Sequence, residues 1–129
     1  MSDVVAAAII ERGGRLLVAR RAQGAAHSGR WEFPGGKREP GEDDRSALAR
    51  ELREELGVEL VVGPLVWTAA AGARELRFYR YAWREGQRPR ALAAEQFRWV
   101  RREDLPSYDF PPADDGLVRA LAERSPPPR

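Results

Sequence analysis

The sequence of 129 residues has no cysteine and a single histidine, His27. Disulfides and thiolate metal sites are excluded, and so is any polyhistidine centre. Lysine is nearly absent: of 22 basic residues, 21 are arginine and the other is Lys37. Codon bias in a GC-rich genome is the plain reading of that preference. No apolar run approaches the ~20 residues that a spanning helix needs. The N-terminal residues show no basic stretch followed by an apolar core, so no secretory signal is expected and a cytoplasmic location follows. Large net charge is lacking too. The 22 basic and 20 acidic residues leave a formal +2, without the clustered basic stripe that a nucleic-acid polymer would attract.

What remains is a globular composition, 43% hydrophobic and 33% charged, of a length that suits one compact domain. We place that domain at residues 1–124, followed by a Pro-rich tail at 125–129. The β-branched run 4–10 reads as a buried strand, and Arg12-Gly13-Gly14 as the turn into a second strand over 15–21. Residues 22–30 read as a loop. Trp31-Glu32-Phe33 is a short extended piece stopped by Pro34-Gly35-Gly36. A helix is expected over 43–56, a strand over 60–68 with a Gly63-Pro64 interruption, and an alternating strand over 75–83. A further strand is expected at 96–100 and a short helix at 113–124. This order of elements suits an α/β domain built on a mixed sheet.

The helix at 43–56 carries the chemistry. At about 100° per residue, Glu51, Glu54 and Glu55 share one face, while Leu48, Leu52 and Leu56 form the apolar stripe beside it. Ala47 falls among the glutamates, where its small side chain leaves room. Gly57 follows as the left-handed residue that ends such a helix. Three neighbouring carboxylates repel one another unless a cation neutralises them, and a hard divalent cation takes oxygen ligands together with substrate phosphates. The alternative is a solvated charged face with Glu–Arg pairs such as Arg50 and Glu54. The charge count fits the first reading: segment 36–58 holds five basic and seven acidic residues, a net −2, which leaves +4 for the rest.

The preceding loop adds Gly35, Gly36, Gly41 and Glu42. Together, Gly36, Glu42, Arg50, Glu51, Leu52, Glu54, Glu55, Gly57 and Val58 have the spacing G-x5-E-x7-R-E-U-x-E-E-x-G-U, with U aliphatic. This resembles the Nudix box at all nine specified positions, a match that chance would produce on the order of one time in a million or less. The resemblance implies an α/β/α sandwich around a mixed sheet. It also implies hydrolysis of nucleoside diphosphates linked to another moiety, with Mg²⁺ or, in its place, Mn²⁺. By the family pattern Glu51, Glu54 and Glu55 are metal ligands, helped by the backbone carbonyl of Gly35 or Gly36. Arg50 orients the glutamates. Glu42 either bonds to the loop or reaches the metal through water. Glu51 is alternatively the general base. Glu95 is the candidate for a further ligand or base from a later loop, with an exposed loop glutamate as the other reading.

Outside the box, Arg30-Trp31-Glu32-Phe33-Pro34-Gly35-Gly36-Lys37 resembles the lead-in of MutT-type enzymes, as do Arg20-Arg21 and Phe110-Pro111-Pro112-Ala113. That likeness implies conversion of 8-oxo-dGTP, or another (deoxy)nucleoside triphosphate, to the monophosphate and pyrophosphate. The implied role is nucleotide-pool sanitation in the service of DNA repair, performed by a monomer with no polymer or membrane partner. Arg21, Lys37 and Arg74 carry over as substrate contacts, and Phe33 packs near the base; surface solvation for Arg74 and core packing for Phe33 are the alternatives. Asp114 departs from the MutT pattern, which has asparagine there. An ionised aspartate only accepts hydrogen bonds, so it suits the N1–H and N2–H₂ of a guanine or the N4 amine of cytosine. The CTP or 5-modified dCTP reading therefore stands beside the oxidised-guanine one, and a helix N-cap is the structural alternative for Asp114. A non-catalytic nucleotide-binding module is the remote third reading, since such modules usually lack box glutamates.

Overall fold

The computed structural model describes residues 3–20, 29–92 and 96–123. β1 (Asp3–Arg12) is covered on both faces: Ala6, Ala8 and Ile10 join one core layer, and Ala7 and Ile9 the other. A strand buried from both sides needs apolar residues throughout rather than at alternate positions. Gly13 and Gly14, at φ of 58° and 77°, turn the chain into β2 (Arg15–Arg20).

β1 and β2 pair only at the hairpin end, Glu11 opposite Leu16 and Arg12 opposite Arg15. The segment 31–37 enters the fork beyond it. Its first part, β3 (Trp31–Glu32), pairs with β2, and its second, β4 (Gly35–Lys37), pairs with β1. Between them the Pro34 carbonyl accepts from the Ala8 N–H at 2.8 Å. The expected stop at Pro34-Gly35-Gly36 is thus corrected: Gly35 and Gly36 belong to a strand. Its partner β1 imposes the extended form, and glycine permits the approach, since a Cβ on Gly35 would land on the Ala6 carbonyl oxygen.

α1 (Asp44–Leu56) starts at Asp43, whose carboxylate accepts from the Ser46 N–H at 2.8 Å, and ends at Gly57 with φ of 67°. Leu48, Leu52 and Leu56 are buried with Ala47, which the glutamate side was expected to leave small. Burying such a leucine is worth about 1.5–3 kcal/mol. Asp44, the first helical residue, is itself buried. It pairs with Arg38 at 3.3 Å and Arg77 at 3.2 Å and accepts from the Tyr79 hydroxyl. That cluster fastens the start of α1 to the sheet.

β5 (Val62–Ala71) runs antiparallel to β6 (Arg74–Ala82), and β6 runs parallel to β1 from Asp3 opposite Arg74 to Glu11 opposite Ala82. The Gly63-Pro64 interruption takes the form of register shifts between Val62 and Trp67 within the β5–β6 ladder, so the strand continues to Ala71. β7 (Gln96–Arg101) pairs with β2. Two 3₁₀ turns follow, Arg102–Ser107 and Pro112–Asp114, and then α2 (Asp115–Glu123). The last helix therefore begins two residues later than the expected 113. The sheet order is β3-β2-β1-β6-β5. α1 covers one face through Leu48, Leu52 and Leu56, and α2 covers the other through Leu117, Val118 and Leu121. The result is the expected α/β/α sandwich around a mixed sheet. Among the described residues no helix is long and apolar enough to cross a membrane. The tail at 125–129 lies outside the described residues.

Candidate active site

Arg50 organises the acidic face of α1. Its Nε and Nη2 donate to the two carboxylate oxygens of Glu42 at 2.8 and 3.0 Å, a forked pairing that fits the planar guanidinium. Its Nη1 reaches Glu51 at 2.9 Å and Glu54 at 3.3 Å, and Nη2 also donates to the Lys37 carbonyl at 3.1 Å. The (i, i+4) pair Arg50–Glu54 that a solvated face would have is present, but as one arm of this larger clamp. Glu42 accepts in addition from the Glu39 N–H at 2.8 Å. Of the two options for Glu42, the loop-bonded one is therefore realised. The Arg50 guanidinium, with that N–H, holds the Glu42 carboxyl down at about 2.

Glu51 and Glu55 lie against β4. A Cβ on Gly36 would stand 2.5 Å from the Glu51 carboxylate, so any other residue there would push the Glu51 side chain from its present place. Glu55 receives a hydrogen bond from the Gly35 N–H, yet its carboxyl is held well above the usual range, by burial first and then by the charges of Glu32 and Glu51. A carboxylate so placed needs either a proton or a cation. Glu54 is 56% exposed. Among the described residues no three acidic side chains yet converge as a metal cage, because Arg50 draws Glu51 and Glu54 to its own Nη1.

On its other side the Gly35–Gly36 strand lines a cavity of about 620 Å³. Phe33, Leu76, Phe78, Ala70 and Pro111 supply apolar walls, and Lys37, Arg74 and Asp114 line it as well. Leu76 and Phe78 come from one side of the alternating β6; Tyr79 and Tyr81 pack in the opposite layer. Phe33 is buried in the core, as the packing alternative has it, and also faces the cavity. It stacks on Phe110 with centroids 5.1 Å apart and meets Phe78 edge-on at 6.0 Å. Asp114 is 6% exposed and makes no side-chain hydrogen bond to a described residue. The N-cap alternative is therefore not realised: Asp114 sits in a 3₁₀ turn before α2 and caps nothing. Burial, reinforced by the charges of Glu32 and Asp115, pushes its carboxyl up to about 7.

Arg21 and Glu95 lie outside the described residues. Two charged cavity residues, Arg30 and Glu32, were given no role from the sequence. No pattern distinguishes a lone loop arginine in a chain with 21 of them, and Glu32 was visible only as part of the MutT-like lead-in.

Comparison with known proteins agrees with this geometry. The NUDIX domain profile matches residues 1–121. A Mycobacterium tuberculosis protein provisionally named 8-oxo-dGTP diphosphatase 2 is 43% identical over 95% of this chain and 89% of its own. The CTP pyrophosphohydrolase of Escherichia coli is 42% identical over 91% of this chain and 89% of its own. A solved MutT structure, from work on the Aliivibrio salmonicida and Vibrio cholerae proteins, superposes with a TM-score of 0.81 at 29% identity, covering 93% of this chain and 96% of that one. A complete box on a clamped helix, an α/β/α sandwich and relatives matched along nearly their whole length have one reading: the chain belongs to the Nudix hydrolase family and is MutT-like.

Proposed function

We propose that this Nudix pyrophosphohydrolase acts on a (deoxy)nucleoside triphosphate, 8-oxo-dGTP foremost, releasing the monophosphate and pyrophosphate and so cleansing the nucleotide pool. The observation that carries the proposal is Asp114: a buried carboxylate with no hydrogen-bond partner, in an apolar cavity that shares the Gly35–Gly36 strand with the glutamate face. A polar group left unbonded in a protein interior is costly, and a base edge bearing N–H donors would satisfy it. Phe33, Leu76 and Phe78 offer the ring an apolar slot; Arg74, with Arg21 beyond the described residues, is assigned to the phosphates or the base, and Lys37 is assigned as a further substrate contact.

Nudix proteins typically depend on a divalent metal. The donor set suits one: Glu51, Glu54 and Glu55 with the Gly35 or Gly36 carbonyl are the assigned ligands for Mg²⁺ or Mn²⁺, and Glu95 is assigned as a further ligand. The raised Glu55 carboxyl supports this, since a cation would replace its proton. When bound, the ion supplies charge neutralisation of the polyphosphate and a lowered pKa for the attacking water. Arg50 fixes the carboxylates, and Glu42 fixes Arg50. Glu51 or Glu54 accepts the proton of the water.

A second reading, CTP or a 5-modified dCTP, is supported by two observations. The CTP pyrophosphohydrolase is as similar as the 8-oxo-dGTP relative, 42% against 43%, and an ionised Asp114 accepts equally well from a cytosine amine. A kcat/KM panel of 8-oxo-dGTP, dGTP, CTP and 5-methyl-dCTP with Mg²⁺ decides between them. Asp114→Asn and Asp114→Ala on the same panel should alter the ranking; discrimination that survives both changes refutes the base-reading role. Glu54→Gln should abolish turnover while leaving the circular dichroism spectrum intact, and unchanged activity would remove Glu54 from the metal set.

A further inference from the structure

Most arginines that the fold brings near a carboxylate are committed to one. Arg38 and Arg77 hold Asp44, Arg50 holds Glu42, and Arg102 holds Glu11. Among the described residues, the cations lining the cavity, Arg30, Lys37 and Arg74, make no ion pair and no side-chain hydrogen bond. Their positions differ. Lys37 and Arg74 stand at the end of the cavity where β1 begins, opposite Val5 and Asp3. Arg30 enters from the β2 side of the fork, at the outer end of β3. The neighbouring Trp31 N–H donates to the Asp109 carbonyl at 2.9 Å, which ties this end to the segment that runs through Pro111 and Pro112 to Asp114. Arg30 and Asp114 thus line one cavity with opposite charge, and no ion pair joins them.

Partly burying a guanidinium and a carboxylate beside the same cavity without pairing them loses solvation for both. The loss is recovered when a ligand enters between them. A guanidinium offers only donors and an ionised carboxylate only acceptors, so the two present complementary edges to one ring. We propose that Arg30 is a specificity-determining residue that donates its N–H fork to the carbonyl-bearing edge of a purine while Asp114 accepts from that purine's N–H donors. This rests on the nucleotide reading of the cavity given above. A guanine-type base carries a carbonyl on one edge and N–H donors beside it, so it offers an acceptor to the guanidinium and donors to the carboxylate. Oxidation at C8 adds a second carbonyl and turns N7 from an acceptor into an N–H donor, so on the oxidised base the fork meets one carbonyl oxygen, O6 or O8. A cytosine that gives its N4 amine to Asp114 has ring N3, not a carbonyl, beside that donor, so it lacks the guanine carbonyl that the fork would meet.

Arg30→Gln and Arg30→Lys test this on the nucleotide panel with Mg²⁺, alongside competitive inhibition by inorganic pyrophosphate. The lysine variant keeps the charge and removes the fork. Both variants should lose about tenfold or more in kcat/KM on 8-oxo-dGTP and dGTP, the size of a lost hydrogen bond from a charged donor. CTP turnover and pyrophosphate inhibition should stay within about twofold. An equal loss on every triphosphate, with weaker pyrophosphate inhibition, would make Arg30 a phosphate contact and overturn the inference. Unchanged kinetics on the purines would overturn it as well. If Arg30→Gln does not fold, the lysine variant carries the test alone. A wild type that turns over none of the panel would instead sink the nucleotide reading itself, and the inference with it. An active wild type with unselective variants sinks the inference alone.

Discussion

A carboxyl buried without a hydrogen-bond partner keeps its proton to higher pH than one in water. Asp114 is held at about 7 against an ordinary 3.8 by burial, with Glu32 and Asp115 adding to it. The native chain therefore retains this proton where the unfolded chain has lost it. Stability from this group is fully present below the ordinary value and falls as pH rises through about 7. Asp114→Asn carries no charge to bury, so its stability relative to wild type should grow between pH 5 and 8, by about 2.5 kcal/mol for a folded value near 7. Urea melts of the two proteins at both pH values check it; a constant difference would mean that Asp114 is ionised throughout. Glu42 shows the reverse case, since Arg50 draws its carboxyl far down. The two were unequally legible. Glu42 and Arg50 stand at fixed box spacing on one loop and helix, so their meeting was foreseeable. Asp114 could be singled out only through the MutT likeness, and Arg30 appeared only as the first residue of the MutT-like lead-in with no role, because the cavity they share joins segments 84 positions apart in the sequence.

α1 was the most legible element, since its apolar stripe, Asp43 cap and terminal Gly57 all agree. Gly57 sits at φ 67°, and a Cβ there would lie 3.2 Å from Leu92 Cδ1 and 3.4 Å from Arg90 Nη2. Gly57→Ala should destabilise by roughly 1 kcal/mol or more, from the left-handed backbone and that crowding. Chemical denaturation measures it, and an unchanged midpoint would show that the helix end tolerates another conformation. The crowding has a source: the Arg90 and Leu92 N–H groups donate to the Leu56 and Glu55 carbonyls at 2.9 and 3.0 Å, so a distant segment closes the helix. Helical spacing carries no sign of such a contact. β4 was illegible for a related reason. Gly35-Gly36-Lys37 has no alternating apolar pattern, and only its pairing with β1 makes it a strand. The 3₁₀ turn Arg102–Ser107 was missed because Leu105 is its only buried residue, too few to show a period.

For the molecule as a whole, the proposed metal set implies linkage between ion binding and folding. Carboxylates crowded on a buried face oppose the folded state until a cation joins them. Millimolar Mg²⁺ should therefore raise the wild-type Tm, by the usual mass-action relation, and should raise that of Glu51→Gln markedly less. Equal shifts in both proteins would place the ion elsewhere. The sandwich itself was predictable from the order of strands and helices; the forked sheet was not, because pairing partners are a property of the assembled fold. The fork has a consequence for how the chain tolerates change. Residues 31–37 are hydrogen-bonded into β2 at one end and β1 at the other, with cavity on one side and glutamates on the other. One inserted or deleted residue there would throw at least one ladder out of register and turn Phe33 or Gly36 to the wrong face. A saturation library selected for folding alone should show one unbroken block of intolerance across this stretch, Trp31 and Pro34 included, whatever substrate the chain is asked to cleave.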